Sequence, residues 1–502
     1  MTQLSPDVDL TPSADPRDPY GLAADAPLFR AWLDAEQAVT DGRLTPFTIP
    51  GHKQRTDLLG DLARGDLPLY GGLAPIKTAD DLLADAEQRA ASHFGADWCR
   101  FSVGGSTHGN QALALAAGRP GRSVIVSRTL HRSMLLALVL AGLDPVWVRP
   151  RLHADTHLPL SVEPTAVKAA LTSHPDACAV LLTDPSYIGT CADVPALADV
   201  THAAGVPLIL DAAWGAHFGA HPALPPHPLT AGADALVTSA HKTLPALNQA
   251  SYVLARTTRT DGLLAPDRLT RAFEAGHTTS PSGAILASLD AARALLAARG
   301  RDLVDELILI TAQARRRLSA IPGLTVLDPA ADGLARFDPA KLVLQLAGTG
   351  AHGHAVEADL IAAGVPVEMA DRDTLIPMIT LADDAESVQR LVDALEDAIP
   401  RHAGPPRDLG HHPAWTVDAE QAMSPREAYF ADHERVPWDD AAGRICAEVL
   451  APYPPGVPVL APGELITRET LQALAEAKAD GSRIAYAGDA TLATVEVVRR
   501  PG

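Results

Sequence analysis

From about residue 80 the chain alternates two hydrophobic rhythms. Residues 80–94 place Leu82, Leu83, Ala86 and Ala90 at helical spacing, which predicts an amphipathic helix. Four short apolar runs follow, at 123–126, 179–183, 207–211 and 235–238. Several of their residues are β-branched, and Pro, Gly or Asp follow closely. Between them, 111–117, 133–141, 162–172 and 194–204 have helical character. This alternation predicts a mostly parallel sheet covered on both faces. Ligands of such sheets bind beyond the carboxyl ends of the strands, so the residues just after each run are where chemistry is expected.

A long helix-like stretch, 281–318, is expected to break near Gly300 and to lead out of this domain. Runs 324–328 and 341–346 read as strands of a second, smaller α/β domain that ends with a helix over 383–398. Residues 400–413 mix Pro, Gly and His and predict a linker. The expected divisions are therefore an N-terminal segment 1–45, a large domain 46–305, a small domain 306–400 and a C-terminal segment 401–502.

Composition narrows the function classes. A chain of 502 residues with 47% hydrophobic and 20% charged residues suits a soluble protein of two or three domains. Its formal net charge of -20 leaves no basic surplus to neutralise phosphates, which argues against nucleic-acid or anionic-membrane partners. Cys99, Cys178, Cys191 and Cys446 match no zinc or disulfide spacing, so free thiols and a cytoplasmic location are expected. The first twenty residues, rich in Asp and Pro, read as a flexible lead-in without the apolar run of a signal peptide.

Four segments, each just after an apolar run, carry candidate chemistry. In Thr238-Ser239-Ala240-His241-Lys242-Thr243, a lysine shielded from water can lose its proton and attack an aldehyde, as on pyridoxal phosphate. Ser239 is a candidate phosphate ligand there and His241 a candidate acid or base. In Leu208-Ile209-Leu210-Asp211-Ala212-Ala213-Trp214, an aspartate at a strand end can pair with a protonated pyridine nitrogen. Lys242 follows Asp211 by thirty-one residues, room for one helix and one strand. The Gly104-Gly105-Ser106-Thr107-His108-Gly109-Asn110 run ahead of a helix suits an anion, with Ser106 and Thr107 as donors. It is neither a Walker loop nor a clean dinucleotide fingerprint. In Ser127-Arg128-Thr129-Leu130-His131, the imidazole can stack on an aromatic ring. Taken singly, these residues have plainer readings: a loop lysine, a turn aspartate, a glycine turn, a surface histidine. Their order along one sheet is what joins them.

Together these segments resemble the fold-type I pyridoxal-phosphate enzymes, and within them the short form of the ornithine/lysine/arginine decarboxylase family. The resemblance runs from about Phe47 to Glu464. It is carried by Pro50-Gly51-His52-Lys53, Gly105-Ser106-Thr107, Asp211-Ala212-Ala213-Trp214, Ser239-Ala240-His241-Lys242, and Tyr453-Pro454-Pro455-Gly456-Val457-Pro458 ahead of Pro462-Gly463-Glu464. It implies an α/β fold, with a mostly parallel large domain and a smaller α/β C-terminal domain. It implies pyridoxal 5'-phosphate held as a Schiff base on Lys242, with His241 beside it and Asp211 at the pyridine nitrogen. Ser106, Thr107 and Ser239 match phosphate ligands, His131 the stacking ring and Trp214 a pocket wall. Thr278 or Thr279 matches a segment reaching a neighbouring subunit's phosphate, which implies a homodimer or higher homo-oligomer with its site at the interface. The plainer reading of that run is a helix cap before residue 283.

The implied reaction is decarboxylation of arginine, lysine or ornithine to a polyamine precursor. A basic substrate calls for an anion at its far end, and Glu448 and Glu464 are the candidates. The plainer reading of Glu464 is a cap on a helix starting near Thr467. The sequence departs from the family at Arg55, where glycine is expected, and at Asp184-Pro185-Ser186-Tyr187, which leaves a hydroxyl for the cofactor to Ser186 or Tyr187. An aminotransferase shares the fold, the aspartate and the lysine. It would use a small-domain arginine for the substrate carboxylate, for which Arg372 and Arg390 are available. A binding protein that had lost catalysis would lack Asp211 or Lys242, and both are present.

Overall fold

The computed structural model describes residues 13–68, 76–259, 264–328, 336–409, 417, 419–453 and 456–500. The start of the expected lead-in, residues 410–413 of the expected linker, and Pro454-Pro455 of the late proline run lie outside the described residues.

Seven strands, β1 (Trp98–Ser102), β2 (Ser123–Ser127), β3 (Asp144–Val148), β4 (Val180–Thr183), β5 (Leu208–Asp211), β6 (Ala235–Ser239) and β7 (Ser251–Ala255), form one sheet. Their order is β1-β7-β6-β5-β4-β2-β3. Residues 1–116 and 210–304 make one compact unit, and 117–209 and 305–502 make another, so the boundary passes through β5. The continuous stretch 46–305 thus contributes to both units.

In the first unit β7 runs antiparallel to both β1 and β6. At the end of β5, the Ala212 amide donates to the Val237 carbonyl at 2.8 Å. Tyr252, Val253 and Leu254 are fully buried on β7, and the Tyr252 ring meets Phe94 and Phe101. The Gly105–Ala117 helix packs close to β6 because Gly109 has no side chain: a Cβ there would lie 2.3 Å from Val237 Cγ2. The Pro27–Thr40 helix is tied to the long helix Gly283–Leu318 through Asp290, whose Oδ2 accepts the Leu28 amide at 2.9 Å. That long helix runs unbroken through Gly300, contrary to expectation. A Cβ at Gly300 would meet Leu296 at 3.2 Å and Ala220 at 3.5 Å, so the glycine serves packing and does not interrupt the helix.

In the second unit β2 is parallel to β3 and β4. A separate four-stranded antiparallel sheet is formed by Thr325–Val326, Leu344–Gln345, Met369–Ala370 and Thr374–Ile376. The helices Gly353–Ala362 and Ala385–Arg401 pack on its core of Leu342, Leu344, Val356, Leu375 and Leu395. The second helix starts at a reciprocal cap between Asp384 and Ser387 and passes through Pro400 in its final turn, past the expected end at 398. A proline so near the end removes at most one helical hydrogen bond. The C-terminal segment adds the strand pairs His433–Pro437 with Thr494–Val498 and Ala451–Tyr453 with Arg483–Ala485, around Leu450, Leu460, Leu474 and Val497. Among the described residues no helix is long and apolar enough to cross a membrane, and no disulfide joins the four cysteines.

Candidate active site

Sequence reading places Asp211 at the end of β5 and Lys242 just after β6, and the first unit holds both. Lys242 lies on a single helical turn, Ala240–Thr243, begun at Ser239. Its Nζ sits 4.0 Å from the centroid of the Trp214 ring, a cation–π distance. Trp214 is buried in the turn after Asp211. That turn is fixed from both sides: Thr238 Oγ1 donates to the Ala212 carbonyl at 2.8 Å, and the Gly215 amide returns to the same oxygen at 2.9 Å.

Asp211 is 3% exposed. Its Oδ2 accepts the side-chain amide of Asn110 at 2.8 Å, and its Oδ1 accepts the Ala213 amide at 3.2 Å. Both donors are uncharged. Asn110, itself fully buried on the Gly105–Ala117 helix, closes the glycine-rich run, and its spacing alone suggests no role. An asparagine inside a helix is a poor helix former, and that misfit was the signal available.

Ser106 and Ser239 come together, their hydroxyl oxygens 2.7 Å apart. Gly105 makes this possible by turning at φ +65° at the helix start, its amide donating to the Gln249 carbonyl at 2.9 Å. Two hydroxyls and a helix N-terminus there form a donor set suited to a phosphate. Thr107 is exposed beside them. His108, in the same run, is used structurally: Ser102 Oγ bonds its Nδ1 at 2.9 Å and the Phe273 carbonyl its Nε2 at 2.8 Å.

His241 sits within bonding distance of the Ala250 carbonyl through Nδ1, at 2.9 Å. Its pKa falls below the usual histidine value, chiefly through burial and further through the charge of Lys242. The Nδ1 hydrogen then goes to Ala250 and leaves Nε2 as a neutral acceptor. Thr278 and Thr279 are exposed between the Pro266–Gly276 helix and the long helix, with Thr278 Oγ1 accepting the Ser280 amide at 3.2 Å.

The second unit holds the remaining candidates. His131 caps the Arg132–Ala141 helix, its Nδ1 accepting the Ser133 amide at 3.2 Å. Ser186 bonds Thr190 at 2.6 Å, and the Tyr187 hydroxyl donates to Glu368 at 3.3 Å. Asp184 is pushed up to about 7 by burial. Arg372, considered as a carboxylate ligand, forms ion pairs with Asp373 and Asp480.

The two acids considered for a substrate's far end are engaged within the chain. Glu464 is fully buried. Arg128 donates to both its oxygens, and the Ala461 amide adds a bond to Oε2 at 2.8 Å. Glu464 does not cap the following helix either; Thr467 does, accepting the Thr470 amide. Glu448 accepts the Glu496 amide at 2.7 Å on one oxygen and the Gly488 amide on the other, and burial raises its pKa.

A family model for the Orn/Lys/Arg decarboxylase major domain matches residues 70–334, and one for the C-terminal domain of that family matches 411–479. An arginine decarboxylase of Bacillus subtilis (strain 168) is 33% identical over 468 residues, spanning 90% of this chain and 94% of its own. An arginine decarboxylase of Halalkalibacterium halodurans is 33% identical over 466 residues, with the same coverage of 90% and 94%. The crystal structure of a Francisella novicida lysine decarboxylase matches with a TM-score of 0.77 at 18% identity, over 96% of this chain and 82% of that one, a likeness of fold.

Proposed function

We propose, since this chain belongs to the ornithine/lysine/arginine decarboxylase family, that it releases carbon dioxide from arginine with pyridoxal phosphate attached at Lys242. Decarboxylation of a basic amino acid by a pyridoxal-phosphate enzyme is the activity of the family. Arginine is our choice because the relatives at 33% identity are arginine decarboxylases.

The observation that carries the cofactor reading is Asp211. It is a buried carboxylate with two uncharged donors, in the same unit as a lysine set against an indole face. An anion kept from water calls for a cation, and the protonated ring nitrogen of pyridoxal phosphate is a cation of fitting chemistry. The paired hydroxyls of Ser106 and Ser239 suit its phosphate equally. When bound, the cofactor supplies a cationic ring that accepts the electrons left on Cα as carbon dioxide departs.

The chain's own residues then have distinct tasks. Asp211 holds the ring nitrogen protonated, and Asn110 holds Asp211. Ser106, Thr107 and Ser239 donate to the phosphate. Trp214 would wall the site. Lys242 would hold the cofactor and supply a proton to Cα; the neutral His241 lies beside it as a proton acceptor. Thr279 is assigned to the phosphate of a neighbouring copy, so the working unit is a homodimer in the cytoplasm. Phe47, Ile49, Leu58, Leu59 and Leu62, all more than half exposed on the first unit, give that second copy an apolar face to cover. Glu448 and Glu464 are assigned to internal bonds and not to the guanidinium of the substrate.

The test is product analysis with arginine, lysine and ornithine supplied separately. Agmatine from arginine as the dominant product is expected. Cadaverine or putrescine as the dominant product overturns the choice of arginine, and none of the three overturns the whole reading.

A further inference from the structure

His108 packs against the glycine turn that leads to Ser106, and its bonds form a chain with one direction. It is 5% exposed, and Ser102, the last residue of β1, is fully buried. His108 Nε2 lies 2.8 Å from the Phe273 carbonyl, and Nδ1 lies 2.9 Å from Ser102 Oγ. Burial, and further the charge of His277, pushes the His108 pKa below the usual histidine value, so the ring carries one hydrogen. A carbonyl only accepts, which puts that hydrogen on Nε2 and leaves Nδ1 as an acceptor. Ser102 then donates its single hydrogen to Nδ1; the Gly105 carbonyl, at 3.4 Å, is the longer alternative. A lone pair of the same Ser102 oxygen accepts the Gly104 amide at 3.2 Å.

The chain of bonds therefore runs from the Gly104 amide through Ser102 and His108 to Phe273. The Phe273 carbonyl lies in the last turn of the Pro266–Gly276 helix, among the four that a helix end leaves without a partner of its own. The fit is close on both sides: a Cβ at Gly104 would lie 2.9 Å from His108 Cβ, and one at Gly276 would lie 3.1 Å from His108 Cδ2. Every residue of the chain belongs to the unit that holds Asp211 and Lys242. With the Gly104 amide given to Ser102 and the Gly105 amide to Gln249, the next amides are those of Ser106 and Thr107, for which the helix has no acceptor. Ser106 is the residue whose hydroxyl meets that of Ser239 at 2.7 Å. A satisfied polar chain kept from water gains little net stability, and what it adds is a single geometry for the groups it joins.

We propose that Ser102 and His108 are positioning residues for the phosphate end of the cofactor: their chain of bonds fixes the Gly104-Gly105 turn and so the donors of Ser106 and Thr107. This rests on the reading of Ser106, Thr107 and Ser239 as phosphate ligands, and deepens it.

The experiment titrates the full-length protein, freed of cofactor, with pyridoxal phosphate and with pyridoxal, the same ring without the phosphate, following absorbance. The parent is compared with Ser102→Ala, His108→Phe and Ser106→Ala. Ser102→Ala removes one hydroxyl and little volume. It is expected to bind pyridoxal phosphate about tenfold more weakly, the worth of roughly one hydrogen bond, and to keep its affinity for pyridoxal within about twofold. A role in stability alone would weaken both ligands together or neither, and either result overturns the proposal. If Ser102→Ala does not fold, His108→Phe, which keeps a ring and removes both nitrogens, decides by the same pair of affinities. Ser106→Ala tests the reading beneath: it too should weaken pyridoxal phosphate and spare pyridoxal. Parent-like binding of pyridoxal phosphate by Ser106→Ala refutes the phosphate reading and the positioning proposal that rests on it. Selective weakening by Ser106→Ala with a parent-like Ser102→Ala refutes the positioning proposal alone.

Discussion

Asp211 and Glu464 are both shut away from solvent, at 3% and 0% exposure, yet they are satisfied in different ways. Asp211 receives an asparagine amide and a backbone amide; Glu464 receives a guanidinium on both oxygens. A neutral donor orients a carboxylate without cancelling its charge. Asp211 is thus held in place with its charge available to an incoming cation, whereas Glu464 has spent its charge inside the fold. Under the proposed function the difference would separate a site residue from a structural one, although both are acids near ends of recognisable motifs.

That contrast can be broken most forcefully at Asp211. Asp211→Asn keeps the shape and an acceptor and removes the charge. Losing one partner of a buried charge pair costs about 3–5 kcal/mol, so decarboxylation should fall by about 100- to 4,000-fold. The unfolding midpoint should hold or rise, because no buried charge is then left alone in the cofactor-free protein. Near-normal turnover in this variant would remove the distinction.

Glu464→Ala should show the reverse profile. It strands the Arg128 charge, with an expected stability loss of about 3–5 kcal/mol in urea denaturation. A loss below about 1 kcal/mol, the range of exposed pairs, would place Glu464 outside the structural class. Next comes the helix that presents Asn110 to Asp211. In Gly109→Ala the new methyl meets Val237, and overpacking should cost about 1–3 kcal/mol and weaken cofactor binding. An unchanged midpoint and affinity would show that the helix can shift without disturbing Asp211.

The smallest effect concerns a group that answers burial by shedding its charge. His227 is lowered to about 3, first by burial and then by His93, which burial itself lowers to about 4. A histidine depressed in the folded state gives stability that is present above its unfolded value near 6.5 and is lost as pH falls towards 3. Each unit of acidification below 6.5 should remove about 1.4 kcal/mol for this residue. Urea midpoints at pH 7.0 and 5.5 measure the slope, and His227→Gln should flatten it by that share. An identical slope in the variant would assign the acid sensitivity to other groups.

Much of the fold was legible because its signals are local. The apolar runs that became β2, β4, β5 and β6 shift by no more than a residue at either end. The strands that escaped are those whose pattern is blurred: Arg100 interrupts β1, and Asp144-Pro145 opens β3. Gly300 and Pro400 misled because each is read as a breaker, while neighbours in space decide whether a helix continues. In the candidate site, the strand-end placement of Asp211, Trp214, Ser239 and Lys242 was legible from the apolar runs, and that of Ser106 from the glycine-rich helix entry. Asn110 was not, since its value lies in a contact 101 residues away. The Arg128 partner of Glu464 was not legible for the same reason: Arg128 is 336 residues distant, and spacing carries no trace of that pairing.

The central claim, that this chain holds pyridoxal phosphate on the lysine beside Trp214, is open to a direct test. The sequence has six lysines, at 53, 77, 168, 242, 341 and 478. The holoenzyme is reduced with borohydride to fix the cofactor where it is bound, digested, and the peptides are weighed and sequenced by mass spectrometry. The account predicts one modified peptide, with the added mass on Lys242. The same mass on another lysine, or on none, would contradict it.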